Sequence, residues 1–290
     1  MNRAVLSLIA LALVLAPPSA ASVADGAPEP GVPTSLAGTG IARQELLVIP
    51  SFEHSRNRGF QYNPEEFGYG PGHDYHAERR TTEGTVFVGY GLTRNVAVEF
   101  EAGRGAVELR KSADDTTAMP ARLRESGTTG VTARISWLMR PESAGRAAWF
   151  GFVDASLPHD RARSLIGRRG VSWLVGVGAE RTSRWGTVSA RHSFEWDTAS
   201  ISPLDWGEFA VSWNRDVRRH TRATGAIEGQ LDEIWLVLQV DQALGRRLSA
   251  RFRNGVGLTR TASGLAPEAG LMWRLPAARS RGGREHARWP

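Results

Sequence analysis

The chain has 290 residues, is 41% hydrophobic and contains no cysteine, which excludes wholesale disorder, disulfide scaffolds, thiol catalysis and cysteine-ligated metal sites. Its formal charge of +6 and isoelectric point near 10.5 rest on arginine, because Lys111 is the sole lysine. These arginines are dispersed and interleaved with Asp and Glu rather than gathered in a stripe, so no nucleic-acid partner is indicated.

The chain opens on MNRAVLSLIALALVLAPPSAA, residues 1–21. Arg3, an apolar run over 4–16 and a small-residue stretch form the pattern of a secretory signal peptide, with cleavage expected between Ala20 and Ala24. The run is too short to cross a bilayer as a helix, and no later segment holds eighteen uninterrupted apolar residues. Residues 22–43 are rich in Pro, Gly and Ala and read as a flexible leader.

From residue 44 onward, apolar residues recur at every second position. Runs of this period fall at 44–53, 82–90, 96–103, 130–139, 147–157, 170–181, 186–196, 206–214, 222–231, 234–243, 248–257 and 267–275. Most are about nine to twelve residues long, the length a tilted strand needs to cross a bilayer, whereas soluble strands are nearer five or six. The connections alternate. GLTRN, RPESAGR, TSRW, RDVRRHT and LGRR are short, while 55–81, 104–129, 158–169, 197–205 and 258–266 are longer; the link at 232–233 departs from the rule. Short turns at one end and long loops at the other predict an all-β fold, an antiparallel transmembrane β-barrel of about 12 strands over 44–275. An even strand number puts both chain ends on the short-turn, periplasmic side.

The faces separate by chemistry. In 130–139, Val131, Ala133, Ile135, Trp137 and Met139 oppose Thr132, Arg134, Ser136 and Leu138; in 248–257, Leu248, Ala250, Phe252 and Val256 oppose Ser249, Arg251, Arg253 and Gly255. A soluble barrel would turn the apolar face inward, and a membrane barrel turns it outward. Aromatics near strand ends favour the second arrangement: Tyr90, Trp137, Trp149, Trp173, Trp185, Trp196, Trp206, Trp213, Trp235 and Trp273 suit interfacial girdles. Alternation then assigns the lumen Glu45, Glu53, Glu99, Glu101, Asp154, Glu180, Glu195, Glu208, Glu228, Asp241 and Glu268 against Arg134, Arg191, Arg251, Arg253 and Arg274. Twelve strands lie between a filled barrel and a wide channel. The charges either fill a narrow interior or form a selective constriction, and the acid excess favours cations or neutral solutes. The aromatics Phe60, Tyr62, Phe67, Tyr69 and Tyr75 of the long first loop either fold inward or pack together at the rim.

Two other chemistries are weaker. His73, Asp74, His76 and Glu78 are metal-ligating types, yet nothing in their spacing fixes a geometry. An outer-membrane lipid hydrolase needs a Ser and a His on one face, but His192 and Ser193 are adjacent and point to opposite faces, as do His54 and Ser55. No catalytic set, metal or cofactor is therefore assigned.

Residues 90–103, YGLTRNVAVEFEAG, followed by GTTGVTARISWLM at 127–139, resemble the strand–turn–strand phrase of the outer-membrane transporters named for the MetA pathway of phenol degradation. Two departures stand out. Thr128–Thr129 replaces the Gly-Asp expected before the fourth strand, and the chain runs past its last strand into a basic tail, 276–290. The resemblance implies a porin-like channel for small, hydrophobic or aromatic solutes, and transfers no individual binding residue. The expected partners are outer-membrane lipid, a small solute and the barrel-insertion machinery. The competing expectations are a non-conducting surface barrel and a lipid hydrolase.

Overall fold

The computed structural model describes residues 31–70, 73–143, 145–160, 163–199, 204–230 and 232–275. The signal peptide and the tail lie outside the described residues. Two short strands, β1 (Val32–Pro33) and β2 (Gly40–Ile41), pair as a hairpin. The remaining twelve, β3 (Leu46–Tyr62), β4 (Tyr75–Gly91), β5 (Val96–Arg110), β6 (Arg122–Arg140), β7 (Ala148–Ser156), β8 (Ser172–Ser183), β9 (Gly186–Asp197), β10 (Leu204–Arg218), β11 (Thr221–Gly229), β12 (Ile234–Ala243), β13 (Leu248–Gly257) and β14 (Ala266–Leu275), form one closed antiparallel barrel. Each pairs with its neighbour in sequence, and β14 closes the ring on β3 through Trp273↔Val48 and Glu268↔Glu53. Closure leaves no strand edge unpaired.

Across the middle of the wall the outward face is apolar, and most of the ionised side chains there point inward. On β8, Val175 and Val177 are more than half exposed, whereas Ser172 and Leu174 on the opposite face are buried. On β5 and β6, Phe100 and Ile135 point out, while Glu99 and Arg134 are buried within. The outward aromatics gather at both ends of the strands. Trp173, Trp196 and Trp206 lie toward the long-loop end of β8–β10; Tyr90, Trp137, Trp149, Trp213 and Trp273 lie toward the short-turn end, joined by Trp185 in its turn. Trp235 departs from the girdle expectation. It pairs with Glu228 and Gly257 at an inward position, because β12 places Leu236, Leu238 and Val240 outside.

The wall is uneven. β3–β6 run for 17, 17, 15 and 19 residues, so half of the segments expected as loops 55–81 and 104–129 continue these strands beyond the apolar band. Up there the outer face turns from apolar to charged, and the apolar-out, polar-in alternation of the membrane band is lost. The inner face of this tall wall carries an apolar cluster of Tyr62, Tyr75, Val107, Leu109 and Met119 with Phe60, Phe67 and Tyr69 packed on it. The loop aromatics therefore pack against one another and against the wall. A buried polar knot ties the β5–β6 loop to them. Tyr62 Oη donates to Asp115 Oδ2 at 2.7 Å, Thr117 N and Oγ1 donate to Asp115 Oδ1, and Lys111 Nζ donates to the Met119 carbonyl at 3.1 Å. Burial, with the Asp115 carboxylate beside it, pushes the Tyr62 phenol up to about 12, against the Ser112 N–H that favours the phenolate. Burial opposes the charge on Asp115, but its bonds to Thr117 and Tyr62 and the nearby Lys111 hold its carboxyl below the usual range.

The expected flexible leader is corrected over residues 31–43. This stretch enters the barrel from the short-turn end, and Val32 and Ile41 are fully buried there. Its Gly- and Pro-rich composition serves a tight hairpin rather than a loose tether, with Gly38 at φ +67° in the turn.

Candidate functional site: a plugged lumen

The hairpin is seated by a small apolar contact and a ring of ionic arms. Val32 and Ile41 pack on Leu47, Ile49, Phe87, Ala97 and Met272, all inward residues of the short-turn half. A Cβ on Gly89 would overlap the Ile41 side chain, and one on Gly91 would overlap the Ala42 carbonyl. The two glycines of the phrase GYG thus let the hairpin lie against β4.

The polar grip comes from five strands. Glu99 Oε2 (β5) accepts from Ser35 N at 3.0 Å and Ser35 Oγ at 2.7 Å. Arg191 (β9) donates to the Ser35 carbonyl. Arg222 (β11) donates to the Gly38 carbonyl at 3.3 Å, Arg251 (β13) to Thr39 Oγ1 at 2.9 Å, and Arg274 (β14) to the Gly40 carbonyl at 3.1 Å. A buried backbone carbonyl without a donor is costly, and charged donors make the stronger kind of bond.

The plug divides the interior into two chambers. Beyond its tip, toward the long-loop end, lies a cavity of about 280 Å³ bounded by Ser35, Leu36 and Ala37 of the hairpin and by Ile49 and Phe87. Five glutamates line it (Glu53, Glu83, Glu101, Glu228, Glu268) against three arginines (Arg191, Arg251, Arg253). Toward the short-turn end lies a wider vestibule of about 770 Å³, where Arg43, Arg218, Arg219, Arg222, Arg251 and Arg274 outnumber Glu45, Glu180, Asp216 and Asp241.

The inward charges expected from alternation sit as follows. Arg134 holds Asp154 with two nitrogens, and both are buried. Arg251 Nε bonds Asp241 at 2.7 Å. Arg253 bridges Glu228 and Glu268, and Arg274 pairs with Glu45 at 3.0 Å. Glu195 is held by Arg168 of the β7–β8 loop at 3.1 Å. Glu101 and Glu53 border the central cavity, and Glu180 borders the vestibule. Arg191 forms no ion pair among the described residues and spends its guanidinium on the hairpin. Three contributors escaped the reading of the sequence. Glu83 and Arg222 share inward faces with Phe87 and Glu228, so alternation alone finds them. Ser35 lies in a stretch with no periodicity.

The β7–β8 loop folds into the opposite mouth, against the inner face of the tall wall. Glu125 (β6) accepts from Ser164 N at 3.2 Å and Leu165 N at 2.8 Å. Asp160 accepts from Thr128 N at 2.7 Å, and Leu165 and Ile166 join the apolar cluster.

His192 and Ser193 are not brought together. His192 points outward between Phe194 and Trp206, with ring centroids at 5.3 and 5.5 Å, and neither ring nitrogen has a hydrogen-bond partner. Ser193 points inward and donates to the Glu208 carbonyl at 3.1 Å. His54 contacts the Thr82 hydroxyl on the outer face at 2.9 Å. In the 73–78 stretch, His73 stacks on Tyr75, Asp74 accepts from Gln61, and Glu78 is held by Arg56 and Arg80.

No protein-family model matches the chain, and no curated protein matches it. Solved structures do match in fold. An outer membrane channel from Pseudomonas putida F1 superposes with a TM-score of 0.61 at 12% identity, over 87% of this chain and 100% of that one. The translocator domain of the autotransporter NalP from Neisseria meningitidis gives 0.52 at 10% identity, over 83% and 91%. At such identities the likeness is one of fold: the closed twelve-stranded barrel, with its apolar face outside, is a form that outer-membrane proteins take.

Proposed function

We propose that this chain is an outer-membrane channel for the passive passage of small solutes, held shut at rest by its own N-terminal hairpin. The observation that carries the proposal is the inverted barrel with a polar, divided lumen. Exposed Val, Ile, Leu and Phe around the wall, with outward aromatics toward both strand ends, would be unstable in water and are at home in a bilayer. Ionised residues enclosing two chambers of water-sized space serve no packing purpose that smaller side chains would not serve better. Export through a cleaved signal peptide and placement by the insertion machinery belong to the same reading.

The central chamber bears on solute class. Its glutamate excess favours cations and neutral molecules, while Leu36, Ile49 and Phe87 offer one apolar wall. A small solute with an aromatic or aliphatic body fits this lining, and the resemblance of residues 90–103 to the MetA-pathway transporters supports the same class. No cofactor is required, since solute moves down its gradient.

Planar-bilayer recording tests this. The full chain should give rare, brief openings, and a chain lacking residues 31–43 should give steady steps several-fold larger with cation preference. Absence of current from both, despite proven insertion, would leave a non-conducting surface barrel as the surviving reading.

A further inference from the structure

The extended outer wall of β3–β6 carries a charge pattern that the channel does not use. Cross-strand register places Arg56, Arg80, Glu108 and Arg124 side by side on the outer face, and Glu78, Arg110 and Arg122 in the next tier. Arg104, opposite Gly84 and Thr128, sits two tiers below, next to Phe52 across β4. Six arginines against two glutamates leave a net +4 on four adjacent strands. Neighbouring strands are about 4.8 Å apart, so the patch is roughly 15 Å wide.

The glutamates are already committed. Glu78 takes Arg56 at 2.8 Å and Arg80 at 2.5 Å, and hydrogen bonding from Arg56, against burial, brings its carboxyl down to about 2. Glu108 takes Arg110 at 2.9 Å. Arg104, Arg122 and Arg124 are exposed and form no ion pair among the described residues. Directly beneath them the wall turns apolar: Phe52, Val86 and Phe100 are each about half exposed on the same outer face. The contrast around the ring is sharp, because β8–β10 present Trp173, Trp196 and Trp206 at their long-loop ends.

We propose that the outer face of β3–β6 binds the phosphate groups of a phosphorylated glycolipid in the outer leaflet, with Arg104, Arg122 and Arg124 as the free cationic arms. The inference rests on the membrane orientation given under the proposed function. Its chemistry is specific in two respects. Guanidinium forks match phosphate oxygens in paired hydrogen bonds. The cationic tiers also abut the apolar band, so a ligand satisfying both must carry anionic and acyl parts in one molecule.

The test uses the full chain, purified in a non-ionic detergent, with bis-phosphorylated lipid A, its dephosphorylated form and inorganic phosphate as probes. The readouts are native mass spectrometry and thermal unfolding. Wild type should retain the phosphorylated lipid at least tenfold better than the dephosphorylated one, less so at high salt. The combined variant Arg104→Gln, Arg122→Gln, Arg124→Gln should lose that preference while keeping the folded barrel's faster electrophoretic mobility before boiling. Equal retention of the two lipids by wild type, or undiminished preference in the variant, overturns the proposal. Equal protection by inorganic phosphate alone also overturns it, since the anion would then need no lipid. Failure to insert into liposomes would instead strike the membrane reading itself, and the two failures are read separately.

Discussion

Two segments enter this barrel from opposite ends, and arginine donors dominate the grip on one while a glutamate acceptor holds the backbone of the other. The N-terminal hairpin presents carbonyl oxygens, and arginines from β9, β11 and β14 donate to them. The β7–β8 loop presents amide N–H groups, and Glu125 accepts two of them. The hairpin also buries Val32 and Ile41 completely, and its anchors are spread around the circumference. The loop leans on one side of the wall. A segment gripped from five strands resists the loss of any single bond, whereas the Ser164–Leu165 backbone, whose two amides share one carboxylate, depends on Glu125. The arrangement assigns the hairpin the role of a durable plug and the loop that of a softer cover.

The comparison breaks most readily at Ile41. Ile41→Ser removes the apolar seat against Leu47, Phe87 and Gly89 and introduces a hydroxyl there, at a cost of about 2–5 kcal/mol. The absence of cysteine in the chain makes the readout clean. A thiol placed at the hairpin tip, Ala37→Cys, should react with a water-soluble maleimide at least tenfold faster in the Ile41→Ser background. A change below about twofold would show that the arginines alone hold the plug. Next in size is Glu125→Ala. It strips the acceptor from the Ser164 and Leu165 amides, worth about 1–3 kcal/mol, and hydrogen exchange at Leu165 should accelerate about five- to a hundredfold. Amides of the hairpin should not respond. If they do, the two segments are coupled and the contrast between them fails.

What was legible in the sequence follows from what alternation can report. In β8, Trp173, Val175 and Val177 against Ser172, Gly176 and Gly178 declare a strand and its two environments at once. β12 and β13 were legible to the residue, as 234–243 and 248–257. The upper parts of β5 and β6 were not, because Arg104, Glu108, Arg122 and Arg124 replace the apolar members of the outer face once the strand leaves the band. The lumen charges could be placed on a face, but their partners could not be read. The carbonyls that Arg191, Arg222 and Arg274 bind belong to a backbone whose course the side chains of 31–43 barely announce. Val32 and Ile41 are the sole large apolar pair flanking that turn apart from Leu36, too few to register as a period. The reason for the glycines at 89 and 91 lies in the hairpin that passes over them.

The smallest expected effect concerns the knot beneath the β5–β6 loop, which belongs to neither inserted segment. Asp115 has its carboxyl held below the ordinary range, so its contribution is complete above the usual aspartate value of about 3.9 and is lost as pH falls through the depressed one. Tyr62 is displaced upward, so its contribution is complete below about 10 and disappears as pH rises through about 12. The loop should therefore stay docked across the whole range between, and loosen at both extremes. The chain has four tyrosines, so absorbance at the phenolate band can resolve one that ionises late. Asp115→Asn removes the charge that Tyr62 faces and should move that late step back toward the others, without changing thiol reactivity at Ala37→Cys. Four tyrosines titrating together in wild type would mean that Tyr62 does not sit against Asp115, and that the loop is held by Lys111 and the Thr117 and Met119 carbonyls alone.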